Sequence, residues 1–404
     1  MQPNPQNEVF DAVVVGGGPA GATAAHELAR LGRSVLLLDR GGRIKPCGGA
    51  VPPVLLKEFD IPESLLAARV NCARMISPNS RAVDMPINGF VGMVDREHFD
   101  EWLRERAAQA GAVRRTGNFK AIEHDAEGRP VVIYELSGGD EKEDTDPQRV
   151  TARVIIGADG ARSEVARQTI PEAHSIPFVA AYHEIVSSPP QGSHDFDGKR
   201  CDVYYQGELS EDFYAWIFPH GEQTSIGVGT ANKGFSMRAA VTKLRERTGM
   251  AESTTIRREG APIPLRTLKR WDNGKDVMLA GDSAGCVAPA SGEGIYYAMF
   301  SARLVAEAAD EFCRSGNPRA LRTARKRFMK AHGRVFWILG LLQRFWYRND
   351  DRRERFVSIC RDPDVQMLTW EAYMHKRLVR SKPLAHVRIF FKDMAHLLGF
   401  ASVK

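Results

Sequence analysis

The sequence has few cysteines and no long apolar run. Its six cysteines are scattered without a CxxC pair, which argues against a disulfide framework or a zinc site and favours a reducing compartment. The longest compact apolar run, residues 335–342, is far shorter than the roughly 20 residues that cross a bilayer. Residues 1–7 are polar and lack a basic-then-apolar signal pattern. We therefore expect a cytoplasmic protein with no membrane span and no metal site.

The net charge of +6 is distributed unevenly. Residues 301–404 contain 22 Lys and Arg against 10 Asp and Glu, so this tail carries +12 and the first 300 residues carry −6. A basic tail behind an acidic body is typical of contact with an anionic membrane surface or a phosphorylated substrate. A solvated helical face accounts for the same charges, and both interpretations stay open. We expect no nucleic-acid partner, and the oligomeric state is left open.

A glycine-rich loop lies between a predicted strand and a predicted helix near the N-terminus. Residues 10–15 are mostly apolar, residues 20–30 have helical periodicity, and a mostly apolar strand over 34–38 is followed by an acid. The residues predicted to bind a dinucleotide are Gly16, Gly18, Pro19, Ala20, Gly21 and Asp39. The first glycine permits the tight turn, the second lets backbone N–H groups approach a pyrophosphate, and the third lets the helix pack closely. The acid would accept hydrogen bonds from the adenosine ribose.

Four segments together resemble the para-hydroxybenzoate hydroxylase-like flavoproteins over roughly residues 8–310. They are GGGPAG (16–21), DREHFDEWL (95–103), GADGARS (157–163) and AGDSAG with GEGI (280–295). The resemblance implies an α/β fold: a Rossmann-like FAD-binding domain, an antiparallel β substrate domain and a C-terminal helical region.

The resemblance also implies cofactor roles for single residues. Arg96 would contact the FAD pyrophosphate and Asp282 the ribityl chain, while Gly294 and Ile295 would meet the pyrimidine edge of the flavin. A helix N-terminus at that edge stabilises negative charge on the reduced flavin. Asp159 matches an acid near the cofactor and the NADPH path, and its alternative is a helix-capping residue. Because no second GxGxxG exists, NADPH is expected to visit transiently, without a dinucleotide domain of its own.

One departure from the family pattern concerns Asp39, where these flavoproteins usually have Glu. The shorter side chain changes the expected ribose contact but leaves the cofactor the same.

Two further segments, KPCGGA (45–50) and FYAWIFP (213–219), resemble the geranylgeranyl reductases. In that family a CGG segment lies near the flavin, here Cys47 and Gly48, and a YxWxFP strand lines the prenyl pocket. Residues 341–370 resemble the chlorophyll and bacteriochlorophyll branch, so the resemblance covers nearly the whole chain. It implies saturation of a geranylgeranyl chain to phytyl, in (bacterio)chlorophyll biosynthesis, with FAD and NADPH. The acceptor is either the free diphosphate or the esterified pigment.

The aromatic strand supports a prenyl pocket independently. Strand residues alternate faces, so Tyr214, Trp216 and Phe218 share one face and could wall a long apolar ligand. Core packing is the alternative, and the residues alone favour it. An isolated alkene is not polarised, so we expect its protonation to accompany hydride delivery, with aromatic faces stabilising the developing cation by about 2 kcal/mol. The candidate proton donors are Cys47, Tyr214 and a bound water, whereas His183 and His220 are expected to be structural or exposed.

The predicted FAD-binding domain is discontinuous, over residues 1–70, 92–170 and 270–310. A β-sheet substrate domain is predicted over 71–91 and 171–269, and a helical region over 311–404. Peripheral contact with an anionic photosynthetic membrane is expected through two apolar stretches with basic neighbours, 335–342 and 389–400. Two alternative functions are an aromatic-ring monooxygenase on the same fold and a non-catalytic prenyl-binding escort protein.

Overall fold

The computed structural model describes residues 8–42, 44–136 and 147–376. Most of the charged segment 137–148 and the apolar stretch 389–400 lie outside the described residues. The strands are β1 (Val9–Val15), β2 (Val35–Asp39), β3 (Ala50–Val51), β4 (Leu66–Ile76), β5 (Ala82–Val94), β6 (Val113–His124), β7 (Pro130–Leu136), β8 (Gln148–Gly157), β9 (Phe178–Ser187), β10 (Arg200–Tyr204), β11 (Ala215–His220), β12 (Gln223–Thr230), β13 (Thr255–Pro264) and β14 (Val277–Leu279). The helices are α1 (Pro19–Arg30), α2 (Pro53–Glu58), α3 (Arg96–Gln109), α4 (Glu164–Thr169), α5 (Met237–Arg247), α6 (Ile295–Ser315), α7 (Thr323–Trp346), α8 (Asp350–Ile359) and α9 (Pro363–His375).

Six strands form the sheet that carries the glycine-rich loop, in the order β1-β2-β6-β7-β8-β14, and β1 also pairs with β8. The pairs β1–β2, β1–β8, β2–β6 and β8–β14 are parallel. In β1, β2 and β14 most side chains are buried apolar ones, as expected of parallel strands covered on both faces. β7 pairs antiparallel with the C-terminal part of β6 and with the N-terminal part of β8. The strand–helix–strand unit predicted from the sequence is therefore confirmed.

Small residues let α1 lie close to its neighbours. Its buried face includes Ala22, Ala24 and Ala25, and the helix packs against α6 and α3. After the helix, Arg33 forms an ion pair with Asp310 of α6 at 2.8 Å. These contacts hold α1 against α3 and α6.

Eight strands form the second sheet, in the order β13-β9-β12-β11-β10-β4-β5-β3. The pair β4–β10 is parallel, whereas β11 is antiparallel to both β10 and β12. Side chains of β9, β11, β12 and α5 form one apolar cluster, and β4 and β5 form another, onto which α9 packs Trp370, Tyr373 and Met374. This core places the aromatic strand β11 in the interior of the sheet.

The structure divides the chain at other places than the predicted boundaries. One compact unit comprises the described residues up to 45, Arg96–Phe178 and Ile263–Arg334, and the other comprises Pro46–Asp95, Val179–Pro262 and the described residues from 335 onward. The predicted boundaries at 70 and 92 fall inside β4 and β5. They are corrected because β5 pairs with both β3 and β4 in the eight-stranded sheet. The predicted helical region is likewise divided between the two units.

Candidate active site

The glycines of the glycine-rich loop have different structural roles. Gly16 has φ +104°, and a Cβ there would lie 2.4 Å from the carbonyl oxygen of Ala158; a Cβ at Gly21 would lie 1.7 Å from the Gly16 carbonyl oxygen. Both positions therefore require glycine for the fold itself. Gly18 has an ordinary φ of −74°, and a Cβ there would lie 4.0 Å from Arg96 Nη2, its nearest neighbour outside the loop. The space before Gly18 thus has the helix N-terminus on one side and a guanidinium on another, which suits a phosphate.

Arg96 is held in place by a second residue that the sequence analysis did not assign. Its Nε and Nη2 donate to the two carboxylate oxygens of Asp100, at 2.7 and 2.6 Å, within α3. Both side chains are buried, and such a two-point pair gives the guanidinium a fixed direction. The i, i+4 spacing on a predicted helix is the signal that could have identified Asp100.

Asp39 supports the glycine-rich loop. Its carboxylate accepts hydrogen bonds from the backbone N–H groups of Gly17, at 2.8 Å, and Gly41, at 2.9 Å. The side chain therefore links the end of β2 to the glycine-rich loop. A carboxylate has further lone pairs for a ribose hydroxyl, and that contact stays a prediction.

Asp159 is engaged in capping α4. Its carboxylate accepts from the backbone N–H groups of Glu164, at 2.7 Å, and Val165, at 3.2 Å, and from the hydroxyls of Ser163 and Ser283. Burial raises the pKa of Asp159, against the effect of these hydrogen bonds. The contacts support the helix-capping interpretation, and a contact of Asp159 with a cofactor stays a prediction.

Asp282 lies close to the N-terminus of α6, the helix that the sequence analysis expected to begin after Gly294. It belongs to a short 3-10 helix, Gly281–Ala284, directly after β14. One carboxylate oxygen forms an ion pair with Lys45, and the other lies 3.5 Å from the position of a Cβ at Gly294. Gly294 is the N-cap of α6, and Ile295 is the first residue of that helix. Lys45 belongs to the KPCGGA motif, but the sequence alone does not assign it to the site, because its partner Asp282 lies far away in the sequence.

These residues fit a bound FAD. The unfilled space before Gly18 and the fixed guanidinium of Arg96 suit the pyrophosphate, and Asp39 ends the strand that would meet the ribose. Asp282 and the N-terminus of α6 offer an acceptor and a partial positive charge at one place. Within the described residues, no group of three or more His, Cys, Asp or Glu side chains is arranged to hold a metal ion.

In the second unit, the segment from Cys47 to Gly49 packs against β11. A Cβ at Gly48 would lie 3.0 Å from ring carbons of Phe218, and a Cβ at Gly49, where φ is +73°, would lie 2.4 Å from His220 Cε1. His220 Nε2–H donates to the Gly48 carbonyl oxygen at 3.2 Å, and the Gly49 N–H donates to Cys47 Sγ at 3.3 Å. Two motifs far apart in the sequence, CGG and YxWxFP, are therefore neighbours.

His220 is a neutral anchor for this segment. Burial lowers its pKa to about 4, which outweighs the opposite effects of the hydrogen bond to Gly48 and of the Asp95 carboxylate. Neutral imidazole has one N–H to donate, and the Gly48 carbonyl receives it. The expectation that His220 is structural or exposed is thereby refined: it is half-buried and holds the CGG segment.

The aromatic residues of β11 form a row. Ring centroids are 6.0 Å apart for Tyr214 and Trp216, and 6.1 Å apart for Trp216 and Phe218. Tyr214 precedes the first residue of β11 and stacks on Phe213, with centroids 4.3 Å apart. Trp216 is buried, with 6% of its surface exposed, whereas Tyr214 and Phe218 are half-buried. The predicted shared face is confirmed; its contact with a ligand stays a prediction.

Two family models match the chain. A model described as an FAD binding domain matches residues 88–331, more than half of the chain, and one described as an NAD(P)-binding Rossmann-like domain matches residues 14–53. FAD as the cofactor, inferred above from motifs, is thereby confirmed.

Relatives match over nearly the whole length. A geranylgeranyl diphosphate reductase of Rhodobacter capsulatus is 55% identical over 393 residues, which is 96% of this chain and 98% of the relative. A chloroplastic geranylgeranyl diphosphate reductase of Oryza sativa subsp. japonica is 34% identical over 414 residues, 99% of this chain and 89% of the relative. A solved structure of a geranylgeranyl bacteriochlorophyll reductase-like protein from Thermoplasma acidophilum has a TM-score of 0.79 at 22% identity, covering 94% of this chain and 99% of that one. This last likeness confirms the predicted fold class.

Proposed function

Because this chain belongs to the geranylgeranyl diphosphate reductase family of FAD-binding oxidoreductases, we propose that it saturates isolated double bonds of a geranylgeranyl chain to form phytyl for (bacterio)chlorophyll. The observation that carries this proposal is the packing of the Cys47–Gly49 segment on the aromatic row of β11. The motif that the family resemblance puts near the flavin and the motif that it puts along the prenyl pocket are neighbours here, held by Phe218 and His220.

Each reduction adds a hydride and a proton across one C=C bond and converts one NADPH to NADP⁺. FAD, when bound, would supply the hydride, with NADPH as its reductant. The chain must supply the proton and stabilise the positive charge that develops on the more substituted carbon. We propose that the faces of Tyr214, Trp216 and Phe218 stabilise this charge and keep water from it, since a desolvated aromatic face contributes about 2 kcal/mol to a cation.

Three proton donors are compatible with this arrangement: Cys47, Tyr214 and a bound water. Cys47 Sγ accepts a hydrogen bond from the N–H of Gly49, so the thiol lies within the CGG segment and beside the aromatic row. This position makes Cys47 the donor that we propose to test first.

The test is an anaerobic assay of the purified flavoprotein with NADPH and two prenyl substrates side by side. We expect products that have gained two hydrogens per reduced bond, and the faster of geranylgeranyl diphosphate and geranylgeranyl-bacteriochlorophyll identifies the acceptor. A protein that consumes dioxygen to hydroxylate an aromatic ring would be a monooxygenase, and one that purifies without flavin bands would be an escort. Either result contradicts the proposal.

We further propose that the protein docks peripherally on the anionic photosynthetic membrane. In the described part of the chain, no helix combines the length and apolarity needed to span a bilayer. However, α7 exposes Trp337, Ile338 and Leu341 by 70%, 36% and 54%, and Arg344 and Arg348 are exposed just beyond them. The spacing i, i+1, i+4 puts the apolar side chains on one helix face, as in helices that lie in the membrane interface. A lipid-dissolved prenyl substrate would then reach the protein directly from the bilayer.

A further inference from the structure

We infer that His183 and Ser225 are positioning residues for Trp216, through a chain of hydrogen bonds that fixes the indole ring and increases its electron density. This inference rests on the proposed function, in which the indole face stabilises positive charge on the prenyl chain. Neither residue was part of the site expected from the sequence.

The chain of hydrogen bonds has a single direction. His183 Nε2 lies 3.0 Å from a carboxylate oxygen of Glu259, which only accepts, so this nitrogen carries the proton. The other nitrogen, Nδ1, then accepts from the Ser225 hydroxyl at 2.9 Å. Because that hydroxyl donates to the histidine, its oxygen accepts from the Trp216 indole N–H, at 3.1 Å. All four groups are satisfied in one arrangement.

The surroundings leave the ring little freedom. Ser225 and His183 are buried, with 0% and 3% of their surface exposed. Gly227 pairs with Trp216 across β11 and β12, and a Cβ at Gly227 would lie 2.2 Å from Trp216 Cζ2. The indole therefore lies against bare backbone while its N–H points to Ser225. A rotated ring would leave a buried N–H without its acceptor, which is costly.

The carboxylate end of the chain gives the hydrogen bonds their polarity. Glu259 accepts from His183 with one oxygen, and its other oxygen lies 3.2 Å from Arg257 Nε. Arg257 in turn lies 3.7 Å from a carboxylate oxygen of Asp95. Because the positive charge of Arg257 is shared between Glu259 and Asp95, it neutralises the Glu259 carboxylate only in part. The remaining negative charge of Glu259 acts on His183. Hydrogen bonds in a chain polarise one another. Each acceptor in this chain therefore increases the electron density on the indole nitrogen and on the ring.

An electron-rich ring in a fixed orientation is what cation stabilisation needs. The attraction of a cation to an aromatic face is electrostatic, it is strongest for Trp, and it depends on the position of the ring. In Trp216 both the electron density and the orientation of the ring are set by buried polar residues.

The experiment compares Ser225→Ala, His183→Leu and Glu259→Gln with the wild-type flavoprotein. Ser225→Ala and His183→Leu break the chain, and Glu259→Gln keeps an acceptor of the same size but removes the charge. His183→Gln is the rescue variant, because its amide can accept from Ser225 and donate to Glu259. Asp202→Asn is the matched control for Glu259→Gln. Like Glu259, Asp202 has a side chain that is 14% exposed and paired with an arginine in the same sheet, but it lies outside the chain of hydrogen bonds.

Three readouts separate positioning from simple structure. The indole N–H resonance of Trp216, assigned by its loss in Trp216→Phe, reports the hydrogen bond by nitrogen–proton NMR. Stopped-flow spectroscopy reports reduction of the flavin by NADPH, and single-turnover product analysis reports reduction of the prenyl chain. We expect Ser225→Ala and His183→Leu to move the indole resonance and to slow prenyl reduction about tenfold or more, with flavin reduction by NADPH within about twofold of wild type. Glu259→Gln should slow it less, and His183→Gln and Asp202→Asn should stay near wild type.

The inference is overturned if the indole resonance moves in folded Ser225→Ala while prenyl reduction keeps its wild-type rate. It is also overturned if both half-reactions slow equally, since that result indicates a general structural role. A wild-type protein that reduces flavin with NADPH but reduces no prenyl chain overturns the proposed function and this inference together.

Discussion

Single residues in the glycine-rich loop separate what the fold needs from what the cofactor needs. Gly16 and Gly21 are glycines because backbone oxygens occupy the place of a Cβ, whereas at Gly18 the protein leaves that place open. An open place of this kind beside a buried, fixed guanidinium has room for a phosphate group, and the phosphate contact stays a prediction.

Gly18→Val is expected to fold and to lose FAD. The branched side chain has room in the protein itself but occupies the phosphate site, so flavin retained per protein should fall to a small fraction of the wild-type value. Absorbance of the bound flavin and circular dichroism measure the two effects. Gly21→Ala is the control, and we expect it not to fold. Full flavin stoichiometry in Gly18→Val would show that the phosphate binds elsewhere.

His220 should make the stability of the protein depend on pH. Its folded-state pKa of about 4 lies below the ordinary value of 6.5, so between these values the unfolded chain binds a proton that the folded chain does not. The free energy of unfolding therefore falls as the pH drops through this window, by about 2 kcal/mol from pH 7.5 to pH 5. Denaturant unfolding of wild type and His220→Gln checks this. The variant, which keeps an N–H donor, should lose that part of the pH dependence, and exposed His98→Gln should keep it.

Cys47→Ser tests the thiol as proton donor. The serine keeps a small donor in the CGG segment but is a far weaker acid than a thiol. We expect prenyl reduction to slow or to stop before the chain is fully reduced, while NADPH still reduces the flavin at its normal rate. Product analysis by mass spectrometry measures the outcome, with half-buried Cys72→Ser as the control. An unchanged rate and product distribution would assign Cys47 to packing.

At the scale of elements, β11 is the strand that carries the aromatic row and contacts both the CGG segment and the chain of hydrogen bonds that begins at Trp216. Its position between β10 and β12 makes it an interior strand. Alternation puts three aromatic rings on one face, and glycines on the neighbouring segments let two of those rings lie close to backbone. The row is therefore part of the sheet's own packing as well as a candidate wall for the substrate.

Trp216→Ala should damage the prenyl half-reaction far more than the flavin half-reaction. Loss of a buried tryptophan also costs about 3–5 kcal/mol of stability, so folding is checked first by thermal denaturation. Trp271→Ala is the control, because Trp271 is buried in the other unit, against Phe328. Equal slowing of both half-reactions in folded Trp216→Ala would identify Trp216 as a core residue only.

At the scale of the whole molecule, the basic C-terminal part and the exposed apolar face on α7 are the features on which the membrane proposal rests. Each Lys or Arg near an anionic surface contributes about 1 kcal/mol to membrane binding. The +12 charge of residues 301–404 therefore makes binding to anionic bilayers an expected property of the chain. The alternative is that these charges are solvated and the helices serve only the fold.

Leu341→Glu should weaken flotation with anionic liposomes, because it adds a negative charge and removes apolar surface from the exposed face of α7. Leu31→Glu is the matched control, since Leu31 is exposed by 51% against 54% for Leu341 and lies at the end of α1. We expect wild-type binding to weaken with added salt, as electrostatic contacts do. Absence of wild-type binding at low salt would falsify the membrane proposal.

The sequence by itself determined the features that depend on short spacings. The strand–glycine loop–helix unit around Gly16, the start of α6 after Gly294 and the common face of Tyr214, Trp216 and Phe218 follow from local periodicity and turn chemistry. The pair Arg96–Asp100 was within reach of the same logic. The family motifs added the cofactor and the substrate class.

Only the tertiary structure decided which distant segments meet. Lys45 pairs with Asp282, Gly48 lies on Phe218, and His183 bridges Ser225 and Glu259. The division of the chain also came from the structure, because β3, β4 and β5 complete the eight-stranded sheet. Such contacts depend on sheet order and register, which arise from many weak long-range contacts formed together. No single stretch of sequence determines these contacts. The chain of hydrogen bonds that begins at Trp216 is therefore visible only in the folded protein.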